Sequence, residues 1–173
     1  MAIRECNAAG IRLIKQYEVE GGFDDAKKLF FPYLDTLDIW TIGWGHVIVD
    51  DNRILQGATN RSNAASLYPN GLGVAQADRL LQADLLHTSR NVEMMVGAPI
   101  TINDNQFSAL VSFAYNVGTG NLKRSKLLKL VNNGQFSAAA GEFMSWVRAQ
   151  DVILPGLMKR REAEQKLFLE KTA

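Results

Sequence analysis

Glu20, Asp35 and Thr41 set two carboxylates and a hydroxyl within a short run of chain. Glu20 stands at the expected exit of a helix, Asp35 opens a β-rich stretch, and Thr41 follows where a strand is expected to begin. Such a set suits hydrolysis of a glycosidic bond, in which one carboxylic acid protonates the leaving oxygen and the other carboxylate activates or positions water. The two environments must differ: the acid needs shielding to keep its proton near neutral pH, and the base needs hydrogen bonds or solvent to stay ionised. Acidic residues at helix ends and turns are also common on solvated surfaces, so residue types alone leave a bland reading open.

Several elements are needed to position these groups. Asn7 is placed to cap a first helix in which Ile11, Ile14 and Tyr17 recur at three-residue spacing, and Gly21-Gly22 stop it. From 33 to 50, Tyr33, Ile39, Trp40, Ile42, Val47, Ile48 and Val49 around Asp and Gly predict a two- or three-stranded antiparallel sheet. Residues 51 to 73, rich in Asn, Ser and Gly, read as loop with one short helical turn. From Val74 the period is helical, with Ala77, Leu81, Leu85, Thr88, Val92 and Met95 on one face of a long helix to about residue 96 that joins two lobes.

Asn103 and Gln106 have capping-box spacing ahead of Phe107, Leu110, Val111 and Ala114, which predicts a buried helix up to Gly118. Ser125 and Ser137 are placed to cap two short helices separated by Asn133-Gly134, and Pro155 opens a last helix carrying Leu157, Ala163, Leu167 and Phe168. The sum is an α+β plan, a mostly helical body with a small antiparallel β lobe near the N terminus. One domain spans 1–173, its β lobe about 21–73 and its helical lobe about 74–173 together with the N-terminal helix.

At 173 residues and 47% apolar content the chain has material for a real core. Nineteen basic against eighteen acidic residues leave a net charge of +1, so no global charge drives nucleic-acid or membrane-surface binding. A single cysteine, Cys6, excludes an internal disulfide and reads as an inert thiol. With His46 and His87 the only imidazoles, a Cys/His zinc site cannot be assembled, and neither metal nor cofactor is expected. Charges at Arg4, Glu5, Arg12, Lys15, Glu18 and Glu20 leave no apolar signal region, and no run of about eighteen apolar residues occurs. The expected place of synthesis is the cytoplasm, without stable membrane insertion, so work beyond that compartment needs another route.

Glu20-Gly21, Tyr33-Leu34-Asp35 and Thr41-Ile42-Gly43-Trp44-Gly45-His46, in that order, resemble the phage-type lysozymes, the endolysins of T4 and lambdoid phages. The likeness continues through Gln76-Ala77-Asp78 to Asp84, through the stretch from Ala109 to Gly118, and through Leu154 to Arg161, and so covers almost the whole chain. It implies a lysozyme-like fold and a muramidase that hydrolyses the β-1,4 bond between N-acetylmuramic acid and N-acetylglucosamine. Glu20 takes the place of the general acid, with Glu18 a rival that lacks the following glycine. Asp35 takes that of the aspartate holding water, and Thr41 that of the threonine orienting it, with inversion as the outcome. Carboxyl groups in such an arrangement stand about 6.5 to 9.5 Å apart.

The resemblance also gives His46 a structural role paired to Asp84, set against a catalytic histidine, while His87 reads as a surface residue. Val47 and Tyr115 match sugar-contacting positions and Asn116 an amide near the acid. Trp44, Tyr115 and Asn116 also offer the flat apolar surface and amide that a glycan cleft needs, whereas Trp40, Phe107, Phe113 and Trp146 read as core. Lys123, Arg124, Lys126 and Lys129 form a solvated helix face or an attraction for an anionic wall. Two departures from the family pattern stand out. The lengthened segment Gly21 to Phe31 carries Asp24 and Asp25, and Asp38 occupies a turn position where glycine is common. The partners implied are peptidoglycan strands and a holin that opens the host membrane to a monomeric enzyme. A secreted effector, a tail-associated muramidase and a non-catalytic glycan-binding protein of the same fold are the alternatives.

Overall fold

The computed structural model describes residues 3–18, 21–149 and 152–171. Along the chain run α1 (Ala8–Glu18), β1 (Phe23–Asp24), β2 (Leu29–Phe30), β3 (Tyr33–Leu34), β4 (Trp40–Ile42), β5 (His46–Val47), β6 (Val49–Asp50), β7 (Arg53–Ile54), α2 (Arg61–Leu67), β8 (Leu72–Gly73), α3 (Val74–Met95), α4 (Asp104–Val117), α5 (Thr119–Arg124), α6 (Lys126–Asn132), α7 (Phe136–Glu142), β9 (Arg148–Ala149), β10 (Val152–Ile153) and α8 (Pro155–Leu169). They fall into two compact units, Lys15–Asp84 and Met1–Ile14 with Leu85–Ala173. Both divisions lie inside helices, so the β-rich unit takes in the end of α1 and the start of α3. No helix among the described residues is long and apolar enough to cross a membrane.

The unit Lys15–Asp84 holds two three-stranded antiparallel sheets, β1-β2-β8 and β3-β4-β5, and the hairpin β6-β7. Trp40 and Ile42, two apart on β4, turn into a core with Phe30, Ile48, Leu55 and Leu72, while Thr41 between them turns to the opposite face. Burying each such side chain contributes about 1.5–3 kcal/mol. The expectation of loop over 51–73 is corrected here. Asp51 and Asn52 both take positive φ, 46° and 62°, and close β6 onto β7. The chain then forms α2 and returns β8 to the edge of β2. Asp and Asn enter the left-handed region without glycine, so this turn carries no glycine to mark it.

In the other unit, the Asn7 carboxamide oxygen accepts from the Gly10 backbone N–H at 3.0 Å and starts α1. Its buried residues are Gly10, Leu13 and Ile14, which corrects the stripe expected through Ile11 and Tyr17. Gly10 is where backbone meets neighbours: a Cβ there would lie 2.6 Å from Cys6 Sγ and 2.8 Å from Ser108 Cβ. Burial pushes the Cys6 thiol up to about 11 against the pull of a Ser108 hydrogen bond, as suits an inert thiol. Ala77, Leu81, Leu85, Thr88 and Val92 are buried on α3, as their spacing predicts, while Met95 at its end is only half-buried.

The capping box at Asn103 closes in both directions, at 2.8 and 2.9 Å, and α4 is buried from Phe107 to Ala114. Ser125 caps α6 by accepting from the Leu128 N–H at 3.0 Å. Ser137, expected to cap the next helix, lies within α7 instead. Gly134 at φ 71° turns the chain so tightly after α6 that α7 restarts at Phe136.

Pro155 opens α8 and Leu167 and Phe168 are buried, as expected, but three charged residues complete that buried set: Arg160, Arg161 and Glu164. Glu164 is 0% exposed. Its carboxylate accepts from Arg161 Nη1 at 2.6 Å, from Arg160 Nε at 3.3 Å and from the Ser112 hydroxyl at 2.7 Å. Burial pushes this carboxyl up, opposed by the charges of Arg161 and Arg160 and by the Ser112 bond. The Arg161 guanidinium also lies 4.9 Å from the Phe113 ring centre. Taking one partner from a buried ion pair leaves the other uncompensated, so Glu164→Gln is expected to lower unfolding free energy by about 3–5 kcal/mol in urea titrations followed by circular dichroism.

Candidate active site

Asp35 ends β3 and builds the turn that follows it. Its Oδ1 accepts from the backbone N–H groups of Leu37 and Ile39, both at 2.8 Å, while its own N–H donates to the Ile39 carbonyl at 2.9 Å. Asp38 takes φ 64° in that turn, so the hairpin forms with aspartate where glycine is common. The carboxylate therefore has a fixed rotamer, with both backbone bonds on one oxygen.

Thr41 is 4% exposed, and its hydroxyl donates to the Ile39 carbonyl at 3.2 Å. The register pairs Tyr33 with Thr41 and Thr41 with Val47. Directly paired residues project to the same side of a sheet, so Tyr33, Thr41 and Val47 form one row across β3, β4 and β5. Glu20 lies outside the described residues. The chain on its far side is informative: the lengthened segment is the hairpin β1-β2, closed at its base by the Phe31 N–H donating to the Gly22 carbonyl at 2.6 Å. Beside the base of this hairpin, Gly21 lies so close to Tyr33 that a Cβ on it would meet the ring. Asp24 and Asp25 belong to this hairpin and pair with Lys27 and Lys28 at 3.3 and 2.5 Å. The Lys27 backbone N–H holds the Asp24 carboxyl below the usual range.

His46 Nδ1 stands 2.8 Å from Asp84 Oδ2, joining β5 to α3, with both side chains largely covered. His87 is exposed on α3. Burial, with the Asp84 charge, pushes the Tyr68 phenol up. Gly43 takes φ 65° and runs so close to α3 that a Cβ would lie 3.2 Å from Ala77 Cβ, which accounts for a glycine there. Trp44 is engaged within its own unit. The indole N–H donates to Asp78 Oδ1 at 2.7 Å, Lys15 Nζ meets the same oxygen at 2.7 Å, and that ammonium lies 5.3 Å from the ring centre. Phe30 packs edge-on at 4.7 Å. Asp78 lies in a stretch that carries the family likeness, but its meeting with Lys15 and Trp44 is not legible in the sequence, because residues far apart in the chain carry no local signal of meeting.

In the other unit, Tyr115 is half-buried and Asn116 exposed near the end of α4. Arg161 Nη2 donates to Asn116 Oδ1, so the carboxamide is held by the same arginine that pairs with Glu164. Sequence reasoning missed Arg161 and Glu164 too, since charged residues on a terminal helix ordinarily face solvent. Lys123, Arg124, Lys126 and Lys129 are exposed, with Lys126 paired to Glu142 at 2.7 Å. Among the described residues no group of three or more His, Cys, Asp or Glu side chains is placed to hold a metal ion.

The phage lysozyme family profile matches residues 30–164, which include Asp35, Thr41, His46 and Asn116. The chain belongs to the phage lysozyme family. Within it, an endolysin of Bacillus phage B103 is 35% identical over 162 residues, covering 93% of this chain and 52% of that protein. An endolysin of Salmonella phage P22 is 33% identical over 141 residues, covering 79% and 84%. The chain spans about half the length of the Bacillus phage relatives it matches, 52% and 55%. Among solved structures, the muramidase domain of SpmX from Asticaccaulis excentricus matches with a TM-score of 0.75 at 28% identity, covering 97% of this chain and 99% of that one. A P22 lysozyme mutant matches with a TM-score of 0.69 at 28% identity, over 96% and 99%. The lysozyme-like α+β fold of the family is thus the fold of this chain.

The Asp35 turn rests on one carboxylate oxygen. Asp35→Asn keeps an acceptor for both backbone N–H groups and is expected to unfold within about 0.5 kcal/mol of the parent, whereas Asp35→Ala is expected to lose about 1–2 kcal/mol. Paired urea titrations check this.

Proposed function

We propose that this chain is an endolysin-type muramidase that hydrolyses the β-1,4 bond between N-acetylmuramic acid and N-acetylglucosamine in peptidoglycan. The observation that carries the proposal is the β3-β4 hairpin, in which a carboxylate of fixed rotamer and a buried hydroxyl occur together within a phage lysozyme chain. Glu20 protonates the glycosidic oxygen as it leaves. Asp35 takes up the proton of the attacking water, and Thr41 orients that water with a lone pair its own bond to Ile39 leaves open. The water enters opposite the leaving group, so the anomeric centre inverts.

Val47, Tyr115 and Asn116 contact sugar, with Trp44 presenting what its bond to Asp78 leaves accessible. His46 and Asp84 brace the sheet against the long helix. Neither proton transfer requires a metal or cofactor. The enzyme acts as a monomer, waits in the host cytoplasm until a holin opens the membrane, and then works on the wall. The relatives named endolysin support this setting. The match to a muramidase domain from Asticaccaulis excentricus favours a second setting, a bacterial muramidase delivered by export or injection.

Mass spectrometry of the products from purified peptidoglycan tests the reaction. Reducing muramic ends are expected from the parent, and Glu20→Gln is expected to lower their rate of appearance by roughly 10²–10⁴-fold with an unchanged circular dichroism spectrum. Anhydro ends would mark a transglycosylase, and intact glycan a binding protein.

A further inference from the structure

We infer that Tyr33 is a positioning residue for the hydrolysis, acting as a backstop for the peptide that immediately follows the acid. The inference rests on the reading of Glu20 as general acid. Its basis is the space around two glycines. A Cβ on Gly21 would overlap the Tyr33 ring at Cδ2 and Cε2 and lie 2.6 Å from Cζ. A Cβ on Gly22 would overlap the Phe31 carbonyl and lie 2.9 Å from Tyr33 Cδ1. One aromatic ring therefore lies close to both Gly21 and Gly22, and at Gly21 it leaves no room for a side chain.

Tyr33 is well placed for the task. Its backbone pairs with Thr41 in the β3-β4 ladder, and it precedes Asp35 by two residues. The ring that lies against Gly21 thus grows from the first strand of the hairpin that carries Asp35 in its turn and Thr41 on its second strand. Position 20 is one peptide bond, about 3.8 Å between Cα atoms, from the residue the ring contacts. Fixing Gly21 against Tyr33 sets the origin from which the acid's side chain reaches. A misplacement of about 1 Å at a reacting group can cost roughly a hundredfold in rate. Gly22 has φ 71°, a conformation that disfavours side chains on its own. At Gly21 the three nearest obstacles to a Cβ all belong to Tyr33.

The Tyr33 obstacle at Gly21 yields a test with a predicted sign. Parent cleavage and its loss in Glu20→Gln are read first in the same muropeptide assay; if either is missing, the acid assignment fails and not the backstop. Gly21→Ala is then expected to lower kcat by roughly a hundredfold while KM stays within about twofold. Adding Tyr33→Ala removes the obstacle, so the double variant is expected to turn over at least about fivefold faster than Gly21→Ala alone, a compensation independent contributions would not give. Parent-like kcat in Gly21→Ala, or a double variant no faster than Gly21→Ala, would overturn the inference.

Should Gly21→Ala lack a native circular dichroism spectrum, Tyr33→Leu and Tyr33→Phe decide the matter. The ring-keeping Phe variant is expected to retain kcat within about threefold, and the Leu variant to lose about tenfold or more at unchanged KM. Equal losses in the two variants would contradict a role for the ring.

Discussion

The sheet around Thr41 has strands of two and three residues, too few ladder bonds to fix a register unaided, and the Asp35 carboxylate supplies what is lacking. By drawing the Leu37 and Ile39 N–H groups onto one oxygen it shapes a four-residue turn that leaves Tyr33 opposite Thr41. A slip of one residue would turn Thr41 into the core and send Trp40 and Ile42 out of it. Burial of those two side chains penalises the slip by several kcal/mol on the order expected for large apolar groups. The residue proposed to handle water thus joins the burial of Trp40 and Ile42 in setting where the neighbouring hydroxyl points. That coupling explains why an aspartate here serves folding even before chemistry is considered.

Charge is used differently in the two units. On the β1-β2 hairpin, Asp25 pairs with Lys28 in solvent, where such pairs contribute about 0–1 kcal/mol and weaken with salt. Around Glu164 the charges are withdrawn from water, and their mutual hydrogen bonds are what make the burial tolerable. The same Arg161 then reaches Asn116, so a buried ion pair orients an exposed carboxamide. Between these extremes, Lys15, Asp78 and Trp44 join α1, the turn after β4 and α3 through one carboxylate oxygen.

What was legible in the chain were features whose signal is local. The capping box at Asn103, the buried face of α3, the proline at the start of α8 and the hairpin of Asp35 and Thr41 each rest on residues a few positions apart. The illegible features required knowledge of distant partners. Residues 51–73 look like loop by composition, yet β8 exists because β2 offers it an edge. Arg160, Arg161 and Glu164 look like a solvated face, yet Ser112 and Phe113 on α4 bury them. Ser137 has the residue type of a cap, but Gly134 had already turned the chain. At the candidate site, the roles of Asp35 and Thr41 came from their resemblance to a family, while the ring of Tyr33 against Gly21 emerged only in three dimensions.

The proposed division of labour between Glu20, Asp35 and Thr41 has a direct stereochemical consequence. A water held by Asp35 and Thr41 attacks from the face opposite the leaving group, whereas a carboxylate attacking by itself would give double displacement. Proton NMR of a chitooligosaccharide or muropeptide digest, recorded before mutarotation, reads the anomeric configuration of the newly formed reducing end. The account predicts that the α anomer appears first from the β-linked substrate. Initial accumulation of the β anomer would contradict it.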